Sequence, residues 1–157
     1  MDMSDTASDG KSNKLEEDDQ AMVRSVMNNS YNGTDLNTVY DPTPTFSGEG
    51  ETDVYFEEYG GVGPGLIGIT WCNDAMGEPP YACDQQHIRI LPGYYSYAYG
   101  YGLVCHETGH AVGLLHGGNA YPTVNNEDLD TLHCMVKSSD TTRGLGPTNV
   151  ANINSVY

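Results

Sequence analysis

Positive charge is scarce in this chain. It carries 6 Lys and Arg against 22 Asp and Glu, a formal net charge of −16. That balance argues against a nucleic-acid partner, because a phosphate backbone would be repelled. Long apolar runs are missing too, so no segment is suited to span a bilayer and no membrane partner is expected. Internal repeats are absent. The first residues, Met1 to Lys14, contain no apolar stretch of the kind a signal peptide needs. Cysteine is sparse, at 4 in 157 residues, and no two lie in a CxxC pair, which weighs against a cysteine-held metal. The acidic surplus itself has two readings, plain solubility and adaptation to high salt, and both stay open.

The length suits one domain with one sizeable core. Residues 1–14 are rich in Asp, Ser, Asn, Gly and Lys and are expected to be disordered. Residues 15–157 form the domain. An even number of cysteines, Cys72, Cys83, Cys105 and Cys134, allows three pairings. Cys72–Cys83 is favoured for the first bridge, closing a short loop with Gly77, Pro79 and Pro80. Disulfides imply an oxidising compartment and hence secretion. With no leader visible, the expectation is a processed form given a start Met, or an N-terminus that was cut or rewritten.

Leu15 to about Asn29 reads as a helix, with Met22 and Val26 one turn apart and acidic residues at its start. Thr34–Tyr40 reads as a short strand. Further strands are expected at Thr52–Glu58, Leu66–Trp71 and Gln86–Leu91. The last of these places Ile88 and Ile90 on one face and His87, Arg89 and Leu91 on the other. Pro92–Gly102 is crowded with tyrosines, which suits either a binding surface or a loop packed over the sheet. Asn125–Asp130 is dense in oxygen ligands and could hold calcium, but it lacks an EF-hand pattern, and a solvated loop is the plainer reading. Pro147 to about Val156 reads as a last helix, with proline in its first turn.

The chemistry concentrates between Val104 and His116. His106 and His110 stand one helical turn apart, so both imidazoles project from one face and can grip one ion. Glu107, about 100° around the helix, can reach a water there without being a ligand. Gly113 tolerates the positive φ of a sharp turn, which lets His116 return as a third ligand. Three nitrogens leave one position of a zinc tetrahedron open. Five fixed identities within eleven positions leave little room for coincidence.

His106, Glu107, His110, Gly113 and His116 together resemble the extended zinc signature of the metzincin metallopeptidases. The resemblance implies an α+β (α/β-like) domain: a twisted mixed sheet with an edge strand over the cleft, a long N-terminal helix, a zinc helix and a C-terminal helix. It implies one catalytic Zn2+ on His106, His110 and His116, with Glu107 as general base. It makes Met135 the methionine turn beneath the metal. It favours a second disulfide, Cys105–Cys134, tying the zinc helix to that turn. It makes Leu66–Trp71 the substrate edge strand, with Gly68, Ile69 and Thr70 against an extended peptide. The expected protein is a secreted, monomeric zinc endopeptidase acting on peptide or protein substrates. The chain departs from the family pattern in two places. No strand precedes Leu15, where these domains usually begin with one, and Lys137 stands where many carry a tyrosine near the metal. His133, beside the turn, is expected to be a spectator. A zinc-bound module that does not cleave, and a hydrolase of non-peptide amides, are the competing readings.

Overall fold

The computed structural model describes residues 15–58, 61–77, 82–91, 100–127, 129–138 and 142–157. The expected disorder of residues 1–14 and the tyrosines at 92–99 lie outside these. The first helix, α1, runs Glu17–Val26, with Glu17, Asp18 and Asp19 in its first turn, where the helix dipole favours acid. It widens into a π-helical turn, Met27–Tyr31, closed by the Asn32 N–H donating to the Met27 carbonyl at 2.9 Å. That turn aims both Met27 and Tyr31 into the core, below Leu15, Val23 and Val26.

Residues 34–40 form no strand. The Thr34 hydroxyl donates to the Tyr31 carbonyl at 2.6 Å and accepts the Leu36 N–H at 3.3 Å. The Asp35 N–H goes to the Asn154 side chain at 2.8 Å. Side chains thus take backbone groups that a ladder would have used.

The strands are β1 (Val54–Glu57), β2 (Gly68–Met76) and β3 (Ala82–Ile90), in the order β1-β3-β2. β1 lies parallel to β3, and β2 antiparallel to it. The architecture is mixed α+β. β2 and β3 extend well past the apolar segments expected at 66–71 and 86–91. The added residues of β2 are exposed and those of β3 are mostly polar, so hydropathy carries no sign of them; the pairing there is interrupted near Asp74 and bridged by Cys72–Cys83.

Ile88 and Ile90 face the core with Phe56, against Leu103 and Val104 of α2 (Tyr101–Ala111). The opposite face, where His87 and Arg89 lie, is covered as well. Tyr55, His87 and Trp71 are register neighbours across the three strands, and their rings pack at 5.0 and 5.2 Å around a His87 that is 0% exposed. The Glu57 carboxylate faces His87 Nδ1 at 3.0 Å and accepts from Arg89 at 2.6 Å. The Arg89 guanidinium in turn lies 5.1 Å from the Trp71 ring centre.

After α2 the chain makes two 3-10 segments, Gly117–Asn119 and Asp130–Met135, and ends in α3, Pro147–Asn154, slightly shorter than expected. Both disulfides join the expected partners; Cys105–Cys134 closes the longer loop, 29 residues apart, and staples α2 to the turn at Met135. A loop of that size contributes roughly 3–4 kcal/mol by restricting the unfolded chain. No described helix is long and apolar enough to cross a membrane.

The Glu57 network sets an acid limit on stability. Burial pushes the carboxyl pKa up, but the donors His87 and Arg89 prevail and hold it below the ordinary 4.5. A depressed carboxylate pKa gives stability that is complete above the unfolded value and lost as pH falls through the folded one. The wild type should therefore lose melting temperature as the pH drops below about 4.5. Glu57→Gln should cost about 3 kcal/mol at pH 7 and show a flatter acid limb in thermal melts.

Candidate metal centre

α2 carries His106 and His110 on one face, and the turn that follows brings His116 to them. The turn is a Schellman motif: the Leu114 N–H donates to the Gly109 carbonyl at 2.8 Å and the Gly113 N–H to the His110 carbonyl at 3.0 Å. Gly113 sits at φ 87°, as its place in the sequence leads one to expect. The His116 ring then lies 5.5 Å from that of His106 and 5.2 Å from that of His110, centre to centre. One ligand atom from each of the three lies within 4.8 Å of the others, so the group can hold a metal ion.

The chemistry of the donor set tests whether a cation fits. His106 Nδ1 is 2.8 Å from the Cys134 carbonyl and His110 Nδ1 is 2.8 Å from the Leu114 carbonyl. A carbonyl only accepts, so each Nδ1 carries the proton. Burial, followed by the neighbouring His110, lowers the His106 pKa to about 4, and burial likewise lowers that of His110. Both rings are neutral, and each Nε2 is a bare lone pair. These two lone pairs face each other at 3.0 Å. No proton lies between them to make that contact favourable; a cation would. Tetrahedral Zn–N bonds of about 2.0–2.1 Å set ligand nitrogens about 3.3 Å apart, close to the spacing found.

The three imidazoles open into a cleft of about 510 Å³, walled by Gly68–Thr70 of β2 on one side and Val136–Ser138 on the other. β2 lies at one edge of the described sheet, as expected, and β1 at the other. Glu107 reaches into this cleft yet is only 5% exposed. Burial raises its pKa to about 7, partly opposed by a hydrogen bond from Thr70. The Thr70 hydroxyl stands 2.8 Å from Glu107 Oε2 and 2.9 Å from the Glu107 carbonyl oxygen.

Beneath the helix, Met135 is fully buried and packs so closely on Gly109 that a Cβ there would overlap its sulfur. Tyr31 donates to the Cys105 carbonyl at 2.7 Å, and burial pushes its phenol well above 10. His133 adopts φ 52°, a strained conformation for a residue with a side chain, and its ring covers Gly146. It does not line the cleft. Lys137 does, with its amine 2.5 Å from Glu127. In the oxygen-rich loop, Glu127 is thus engaged by Lys137 and Asp130 by Arg143 at 2.8 Å. Asp128 lies outside the described residues. Among the described residues the one convergent group besides the three histidines is acidic, Glu16, Asp19 and Glu58, remote in sequence from that loop.

No protein-family model matches this chain, and neither does any curated protein or solved structure. The site therefore rests on its own geometry.

His106, Glu107, His110 and His116 are brought together as the spacing implies. The two carbonyls that orient the rings left no sequence signal, since any residue supplies a carbonyl. Tyr31 was hidden for a related reason: its inward aim comes from the π-helical turn, and helical periodicity does not foresee that turn.

Binding should be visible in stability. Zinc at about 1,000 times its Kd should add about 4 kcal/mol to unfolding, read as a rise in melting temperature. In His110→Ala the same addition should leave the melting temperature nearly unchanged, and bound zinc measured by elemental analysis should fall below stoichiometry.

Proposed function

We propose that this protein is a secreted, metzincin-type zinc endopeptidase. The observation that carries the proposal is the pair of lone-pair nitrogens at 3.0 Å, with a third imidazole and a buried carboxylate opening on the same cleft. The two disulfides suit an extracellular setting. Zinc bound there supplies a Lewis acid that polarises a carbonyl and acidifies water.

The remaining work belongs to the chain. His106, His110 and His116 hold the ion through nitrogens that backbone carbonyls or the Gly113 turn have already aimed, so little ordering is left to do on binding. Among the described residues no strand pairs with the outer side of β2 at Gly68–Thr70, where an extended peptide can add as a further strand. Glu107 takes the proton of the attacking water at a carboxylate oxygen and passes it to the leaving amine nitrogen. A carboxyl held near neutrality by burial suits both halves of that transfer. Met135 floors the site, and Cys105–Cys134 keeps that floor attached to α2.

Glu107→Gln tests the assignment. The variant should retain stoichiometric zinc while cleavage of a mixed peptide library falls by about 10² to 10⁴-fold. Cleavage retained in a pure, zinc-loaded variant refutes the base. Stoichiometric zinc with no hydrolysis even by the wild type points instead to a binding module.

A further inference from the structure

Gly68 and Thr70 share one face of β2, two residues apart. Both approach the same group, the Glu107 carboxylate. A Cβ built on Gly68 would stand 2.5 Å from Glu107 Oε1 and 2.9 Å from its carboxyl carbon. The Thr70 hydroxyl stands 2.8 Å from Oε2. One strand residue therefore leaves the space that one carboxylate oxygen fills, and its neighbour on that face donates to the other oxygen. Ile69 points to the opposite face.

We propose that Gly68 and Thr70 are positioning residues for Glu107: a seat in the edge strand that fixes the rotation of the carboxylate over the metal cleft. This inference rests on the assignment of Glu107 as the base. Glu107 has three rotatable side-chain bonds, and without an anchor its carboxylate could turn away from the three imidazoles. Its backbone is held by α2, which leaves the carboxyl end to be held from outside the helix. Among the described residues, Thr70 is the side chain hydrogen-bonded to that carboxylate. A hydrogen bond to an ionised oxygen is of the stronger, charge-assisted kind. The hydroxyl has a single proton and two acceptors in reach, Oε2 and the Glu107 carbonyl. Gly68 has a matching reason for lacking a side chain. Its φ is not in the left-handed region, so the constraint is space and not backbone conformation.

The same stretch then has two tasks. Its backbone edge is available to a peptide, while its side-chain face holds the base.

The test uses the whole, zinc-loaded protein with Thr70→Val, Thr70→Ser and Gly68→Ala. Thr70→Val keeps the shape and removes the donor, so kcat should fall about 10- to 100-fold with KM and zinc content little changed. Thr70→Ser restores the hydroxyl and should recover most of the rate. A raised KM with unchanged kcat, an unchanged rate, or a serine variant no better than valine overturns the proposal. Crystal structures supply a readout independent of turnover. In Thr70→Val and in Gly68→Ala the Glu107 carboxylate should leave its place over Gly68 or occupy more than one orientation. A carboxylate that stays put in both variants overturns the proposal whether or not the wild type cleaves. If the wild type cleaves nothing while the carboxylate does move, the protease assignment fails and the seat stands.

Discussion

Two backbone carbonyls hold this site in order. The Cys134 carbonyl takes the Nδ1 proton of His106 and the Leu114 carbonyl takes that of His110, each at 2.8 Å. These bonds decide which nitrogen of each ring is bare, and so where a cation can be held. Much of the surrounding structure can be understood as placing those two oxygens. The Schellman turn at Gly113 returns the Leu114 carbonyl to the ring one turn back. The Cys105–Cys134 bridge fixes the Cys134 carbonyl against the residue next to His106. Met135 on Gly109 sets the distance between the turn and the helix.

That arrangement carries an electrostatic cost. A carboxylate only 5% exposed has lost most of its hydration. The compensation lies in rigid surroundings: core packing below, two disulfides, and the layer of Tyr55, His87, Trp71 and Arg89 on the far face of the sheet. A polar network of that kind is favourable only when its charges are paired, as Glu57 is by His87 and Arg89. The far face thus links all three strands by side-chain contacts, including the one from which Gly68 and Thr70 reach Glu107.

Much of the site was legible before the fold was known, because metal chemistry demands particular residue types at particular helical spacings. Spacing alone brought His106, His110 and Glu107 together, and glycine at 113 announced the turn for His116. The disulfide partners were legible from the four cysteines and from the place of Met135. Legibility ended where function depends on atoms that every residue has, or on burial that polar residues share. The orienting carbonyls are of the first kind. His87 is of the second: a polar residue alternating with Ile88 and Ile90 looks solvent-facing, yet its register neighbours Tyr55 and Trp71 enclose it. The outer halves of β2 and β3 escaped notice because they are held by a disulfide and backbone pairing and bury little apolar surface. Thr34–Tyr40 misled in the other direction, since local side-chain hydrogen bonds won over strand propensity. The resemblance gives Gly68 and Thr70 a place on the substrate edge strand, and the structure adds a contact of each with Glu107.

The account turns on a single ion meeting three imidazole nitrogens. X-ray absorption at the zinc edge, on protein loaded with one equivalent, measures this directly. The account predicts three imidazole nitrogens at about 2.0–2.1 Å with a light fourth ligand and no sulfur. A first shell containing sulfur, or only one or two imidazoles, would contradict it.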